Sequence, residues 1–371
     1  IIKMAHIFTT ALAFSKDNDT KDLSEAMMAY AKEYLNERHG KPAFTAHSKE
    51  EMESLINKSF AKAVATKSKV TLDENATKTD IMNYSKNPQV MYFASLIRDT
   101  LIDEVLPVTL SDGNLRLIAD IKYADLGDSL KFDIKNNQLF TVSRIDYRRR
   151  KDNIQKDVDT TVTMNGVNHA ISISTTLFDI LTGNDNIAAD VMKANISIET
   201  AMFFDAFDAF SKSMNALSGV LNVSNYSEKS LVTLAQTVTA YNQGRKAVVL
   251  GTPVALQSVL PTNSNYRYDV MSDFVKVGHL STIDGYDVIP LEQVANPYAD
   301  DDYALKLDDS KIYVVSPAAD KIVKVGVFGG TVMGRIDANS TANTTEVETV
   351  KKAWDVATVT NSVAGIITNL G

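Results

Sequence analysis

The stretch NDNIAADVMKANISIETAMFFDAFDAFSKSMNALSG, Asn184 to Gly219, decides how the rest of the chain is read. Ile187, Val191, Ala194, Ile198, Ala201, Phe203, Phe207, Phe210, Met214 and Leu217 recur at spacings of three and four, which lays one apolar stripe along a helix. Turn residues Gly183 to Asn186 open it, and Gly219 is the expected stop. At ~1.5 Å rise per residue such a rod is roughly 45–50 Å long, several times the average helix of about a dozen residues. Asp190, Lys193, Glu199, Asp205, Asp208 and Lys212 fall largely off the stripe and are expected to face water or a neighbouring subunit.

Upstream, residues 1–107 read as a helical arm. Leu23, Met27, Tyr30 and Tyr34 share one face of a helix capped at Asp19 or Thr20 and stopped by Gly40-Lys41-Pro42. Ser48 and Glu51 have the spacing of a capping box, followed by Met52, Leu55, Ile56, Phe60 and Val64. The segment from Thr66 to Lys86 is polar and reads as a linker. A third helix starts at Asn87-Pro88, where proline costs no donor, and is expected to end at Pro107. Each apolar face needs a covering surface, and an adjoining subunit is the expected cover.

From Val108 the period shortens to two. Leu115–Ile121, Ser129–Ile134, Leu139–Ile145 and Val158–Met164 read as strands. Asp112-Gly113, Gly127-Asp128, Asn136-Asn137 and Asn165-Gly166 read as hairpin turns between them, so residues 115–173 are expected to form an antiparallel ribbon. The ribbon carries Arg144, Arg148, Arg149, Arg150 and Lys151, with Asp146, Asp152, Asp157 and Asp159 nearby. This pattern fits a solvated charged strand, a set of salt-bridge donors to a neighbouring subunit, or a nucleic-acid contact with only Tyr147 to stack on a base.

Downstream, Ser227–Tyr241 carries a second helical stripe, and Ala247–Leu250 is a short apolar run with the signature of a buried strand. Thr252-Pro253 opens a short helix. Residues 278–290 read as strand, turn at Asp284-Gly285, strand. Lys311–Val315, Ile322–Val327 and Val356–Ile367 are expected as strands, with a short element at Glu346–Trp354 before the last.

The 371 residues contain no cysteine, which excludes disulfides and thiolate chemistry. A net charge of −8 disfavours a dedicated nucleic-acid gripper, and no run of 18 apolar residues offers a membrane span. The histidines (His6, His39, His47, His169 and His279) lack metal-ligand spacing. Gly326-x-x-Gly329-Gly330 does not open a helix and so fails the context of a dinucleotide loop. Ser59-x-x-Lys62 has none of the companion motifs of a serine–lysine enzyme. No catalytic residue, cofactor or metal is expected.

The order of parts resembles the major capsid protein of tailed bacteriophages, the shell fold named after phage Hong Kong 97. Residues 170–181 (AISISTTLFDIL) are similar to that family's segment entering its spine helix. Val248–Pro253 is similar to its axial-domain strand and helix, Ile283–Pro290 to its glycine hairpin, and Trp354–Ala364 to its closing strand. The resemblance implies an α+β fold with an N-terminal arm (1–107), an extended loop, the E-loop, and peripheral-domain strands (108–173), a spine helix (174–220), an axial domain (221–310) and strands returning to the peripheral domain (311–371). It implies a non-enzymatic homo-oligomer of pentamers and hexamers, assembled in the host cytoplasm into the capsid of a virion that encloses DNA without sequence-specific binding. Scaffold, portal, protease or decoration proteins are the expected partners. The expected intersubunit contacts are Arg144, Arg148, Arg149, Arg150 and Lys151 on the ribbon and Leu23, Met27, Tyr30 and Tyr34 on the arm. A nanocompartment (encapsulin) shell shares the fold and is the nearest alternative. A phage or cell-surface binding module and an undetected hydrolase are the others.

Overall fold

The computed structural model describes residues 18–370 apart from 74–75, 114, 126, 135–158, 174–176, 261–273, 275–277, 297–298, 300–301, 318, 337–346 and 360. The described chain opens with helices α1 (Asn18–Arg38), α2 (Lys49–Ser68), α3 (Lys78–Ser85) and α4 (Pro88–Asp112). A single turn, α5 (Leu115–Ile118), leads into β1 (Ala119–Ala124), β2 (Leu130–Ile134), β3 (Thr160–Met164) and β4 (Val167–Ile173). Helix α6 (Leu177–Thr182) then precedes the long α7 (Ile187–Asn215). The remainder is β5 (Asn222–Val223), α8 (Glu228–Tyr241), β6 (Val248–Gly251), α9 (Pro253–Gln257), β7 (Thr282–Ile283), β8 (Tyr286–Pro290), β9 (Lys311–Val315), β10 (Val323–Ile336), β11 (Val347–Thr358) and β12 (Gly365–Thr368).

Helix boundaries follow local chemistry where a cap is present. The Ser48 hydroxyl accepts from the Glu51 amide at 3.2 Å, and the Glu51 carboxylate accepts from the Ser48 amide at 3.1 Å, which closes the capping box on α2. The 29-residue α7 is capped by Asn186, whose side chain accepts from the Ala188 amide at 3.0 Å. A second cap comes from α2: the Asn57 side-chain oxygen accepts from the Ile187 amide at 3.1 Å. Helix α7 ends at Asn215, ahead of Gly219, which starts a single 3-10 turn with φ +63°.

Two expectations fail in the N-terminal region. Helix α4 does not stop at Pro107 but runs on to Asp112. A proline inside a helix costs about 3 kcal/mol, and burying one leucine or valine side chain returns roughly 1.5–3 kcal/mol. Leu101, Ile102, Val105, Leu106 and Leu110 are all completely buried, so packing outweighs the lost donor. The polar stretch 66–86 is also not merely a linker, since it contains the whole of α3, capped by the Thr77–Asp80 pair.

The described strands form three sheets. The first has the order β1-β10-β11-β4, with β1 parallel to β10 and the other pairs antiparallel. The second has the order β5-β12-β9-β6-β8-β7. The third is the β2–β3 pair, in register Leu130↔Met164 through Ile134↔Thr160. Of the hairpin signals, Asp284-Gly285 is a true two-residue turn joining β7 to β8, with φ +46° and +83°. Gly127-Asp128 and Asn165-Gly166 instead carry the chain between sheets, and Asp112-Gly113 lies between α4 and α5. Asn136-Asn137 and the strand expected at Leu139–Ile145 lie outside the described residues. Leu115 to Ile118 is helical, so only the end of the first expected strand forms one. The strand expected over Val356–Ile367 is two strands in different sheets, β11 and β12. Likewise β9 pairs with β6 in the second sheet, so among the strands expected to return only β10 and β11 enter the first.

Two main cores result. The larger contains α1, α2, α4 and α7 together with the inner face of the first sheet, and reaches β9 through Tyr313. The smaller lies between the second sheet and helices α8 and α9.

Candidate functional site

The β2–β3 ribbon packs against the first sheet through a cluster of its own. Leu130, Phe132 and Ile134 alternate with exposed Lys131 and Asp133, so β2 has one buried and one exposed face. Leu130, Phe132 and Met164 pack on Phe328 of β10 and Ala353 of β11. Two glycines make room for this packing. A Cβ on Gly166 would lie 2.8 Å from the Phe328 ring, and one on Gly326 would lie 3.1 Å from the Leu130 side chain. The glycine run near 326–330 is therefore explained, at Gly326, by close approach of the ribbon. Lys122 of β1 spans the same junction: its ammonium donates to the Lys131 carbonyl at 2.9 Å and lies 4.6 Å from the Phe132 ring centroid.

Residues 135–158 lie outside the described residues, so the proposed donors Arg144, Arg148, Arg149, Arg150 and Lys151 have no described position. The arm residues do, and they correct an expectation. Leu23, Met27 and Tyr30 are completely buried in the chain's own larger core. Tyr30 also donates its hydroxyl to Glu53 of α2 at 2.7 Å, and Tyr34 packs half-buried beside it with ring centroids 6.1 Å apart. Ile56, Phe60 and Val64 of α2 are buried in the same place. Apart from Leu55, which stays exposed, the apolar faces expected to strap a neighbour are packed within the chain's own core.

The sequence reading also missed a set of buried and part-buried ion pairs that bind these layers together. Lys352 of β11 meets Asp103 of α4 at 2.5 Å with both side chains 1% exposed. Burial holds the Lys352 ammonium below its usual pKa, opposed by the charges of Asp103 and Asp99. Arg98 of α4 reaches Asp190 of α7 at 3.3 Å. Arg38 of α1 reaches Glu199 of α7 at 3.1 Å, beside a small cavity that His39, Asp112 and Glu292 also line. Burial raises the Glu199 pKa, opposed by Arg38. The available signal was the run Arg98-Asp99-Thr100-Leu101-Ile102-Asp103-Glu104, in which charges interrupt an otherwise apolar helix and cannot all reach water.

Where α7 meets the first sheet, Trp354 donates its indole N–H to Asp205 at 2.8 Å. The His169 ring stacks on it with centroids 3.5 Å apart and planes 7° from parallel. His39 lies 2.5 Å from Asp112 and 3.7 Å from Glu292. Among the described residues, no group of three or more histidine or carboxylate side chains converges as a metal site. These contacts join one structural layer to another. The exposed face of β2, with Lys131 and Asp133, is open.

No protein-family model matches the sequence, and no curated protein does. The fold is similar to a chain of the bacteriophage PhiM1 mature capsid, at 10% identity and a TM-score of 0.45, over 69% of this chain and 86% of that one. It is similar to the acid-stable capsid of Helicobacter pylori bacteriophage KHP30, at 10% identity and a TM-score of 0.42, over 68% of this chain and 88% of that one. A virus-like particle from Pyrococcus furiosus is similar at 11% identity and a TM-score of 0.39, over 71% of this chain and 95% of that one.

Proposed function

We propose that this chain is the structural subunit of an icosahedral phage head, a major capsid protein that closes around DNA as pentamers and hexamers of itself. The observation that carries this reading is the ribbon. One face of β2–β3 is covered by Phe328 and Ala353, and the pair has no third strand among the described residues. Its outer edges and the exposed face of β2 offer backbone and side-chain groups that a neighbouring copy can cover. The four-stranded sheet with α7 then serves as the peripheral part of the tile and the six-stranded sheet as the axial part. The subunit has no enzymatic role in this reading. It assembles in the host cytoplasm, with scaffold, portal, protease or decoration proteins as partners, and resides in the virion capsid.

With Leu23, Met27 and Tyr30 used internally, intersubunit contact falls to the ribbon and to Arg144, Arg148, Arg149, Arg150 and Lys151. The test is expression of the full chain followed by size-exclusion chromatography and negative-stain microscopy. Closed particles are expected, with a large drop in yield for the double charge reversal Arg149→Glu and Arg150→Glu. A chain that stays monomeric with its partners present contradicts the proposal and favours a binding module. Closed particles from phage-infected cells that protect a protein cargo and no nuclease-resistant DNA would identify a nanocompartment instead.

A further inference from the structure

At the free edge of the first sheet, β1, α5, the last turns of α4 and the segment before β10 enclose a cavity of ≈ 210 Å³. Its polar wall consists of Ser111, Arg116, Asp120, Tyr123 and Lys321. Lys321 is held in place by its own hydrogen bonds, donating to the Arg116 carbonyl and, at 3.2 Å, to the Ala119 carbonyl. An ammonium has three donors, so one N–H is left for a ligand. Arg116 is exposed, and its guanidinium makes no ion pair with a carboxylate among the described residues. It is nonetheless close enough to act electrostatically on both Lys321 and the Tyr123 hydroxyl.

The local charges do not balance. Both carboxylates here are bonded to the buried Lys324 ammonium, Asp120 at 2.5 Å and Asp320 still closer. Arg116, Lys321 and Lys324 thus face Asp120 and Asp320, leaving one positive charge over at the cavity. Burial lowers the Lys321 pKa and the charges of Arg116 and Lys324 lower it further, while Asp120 opposes them. Two cations forced together in a partly desolvated pocket are the arrangement that an anion between them relieves.

We propose that this cavity is an oxyanion site for a phosphate group, either inorganic phosphate or a terminal phosphate monoester. Arg116 supplies a planar fork suited to two phosphate oxygens and Lys321 supplies a fixed point charge; the Ser111 hydroxyl, which donates to the Val108 carbonyl at 2.8 Å, and the Tyr123 hydroxyl complete the polar wall. Burial pushes the Tyr123 pKa up to about 12, so this wall of the cavity adds no negative charge at neutral pH. The two cations arrive from different elements, Arg116 from α5 and Lys321 from the segment before β10, so an anion held between them meets charge from two sides. The site is independent of whether the chain forms a shell.

The test is calorimetric titration of the purified full chain with inorganic phosphate at low ionic strength. Saturable binding is expected, weakened tenfold or more in Arg116→Gln and less in Arg116→Lys. The exposed Arg116 side chain can be replaced without touching the backbone carbonyl that holds Lys321, so the variants keep the fold. A 5′-phosphorylated and an unphosphorylated dinucleotide then separate the sources. Binding of the phosphorylated form alone assigns a monoester, and binding of neither, with phosphate bound, assigns the free ion. No saturable phosphate binding, equal affinity in Arg116→Gln, or equal binding of the two dinucleotides overturns the proposal.

Discussion

Replacing Lys352 by methionine is expected to be among the most damaging single changes available in this chain, although it exchanges one long unbranched side chain for another. The lysine and Asp103 are each 1% exposed and 2.5 Å apart. Removing the ammonium takes the 2.5 Å ion-pair partner from a carboxylate that is itself 1% exposed, with the charge of Asp99 acting on the same site. Breaking a buried pair from one side costs about 3–5 kcal/mol. Unfolding entropy of about 2.1 cal/mol/K per residue, taken over 371 residues, converts that loss to a fall in melting temperature of roughly 4–6 °C. The double variant Lys352→Met, Asp103→Leu removes both charges and is expected to recover most of the loss, because apolar replacement of an entire buried pair is often neutral or stabilising by about 1–4 kcal/mol. Differential scanning calorimetry of the two single variants and the double variant closes a thermodynamic cycle. If the double variant melts no higher than Lys352→Met, the cost lies in packing at the α4–β11 seam and the electrostatic argument is wrong.

Two further outcomes follow from the geometry. Gly166→Ala places a methyl group 2.8 Å from the Phe328 ring and is expected to cost about 1–3 kcal/mol by overpacking. Hydrogen exchange should locate the loosening in β2 and β3, and Phe328→Leu on the same background should relieve part of it. Burial raises the Glu199 pKa above its usual value of 4.5, so the folded state binds the extra proton and this residue's contribution falls as pH rises from 4.5 through the folded-state pKa. Denaturant titrations between pH 4 and 8 should show that fall in the wild type relative to Glu199→Gln. Parallel pH profiles for the two proteins would remove Glu199 as its source.

Features fixed by short-range chemistry were legible in the sequence. The capping box at Ser48 and Glu51, the β7–β8 turn at Asp284-Gly285, the buried strand β6 and the long α7 all depend on residues within a few positions of one another. Features decided by partners distant in sequence were not. Pro107 looks like a stop until Ile102, Val105 and Leu110 are seen buried against other layers. Asn165-Gly166 looks like a turn, yet Gly166 has no positive φ and is needed because Phe328 arrives from more than a hundred residues away. The arm failed for the same reason: periodicity identified the greasy face of Leu23, Met27 and Tyr30 but could not tell whether a foreign surface or the chain's own α4 and α7 would cover it. Ion pairs such as Lys352–Asp103 carry no local pattern beyond a charge standing where an apolar residue belongs.

The chain's single tryptophan, Trp354, sits at the seam between the long helix and the first sheet, clasped by Asp205 and roofed by the His169 ring. Any bending of the molecule that slides helix over sheet must disturb that sandwich. The molecule therefore carries its own optical strain gauge, an indole whose emission, with no label attached, reports whether the two layers are still in step.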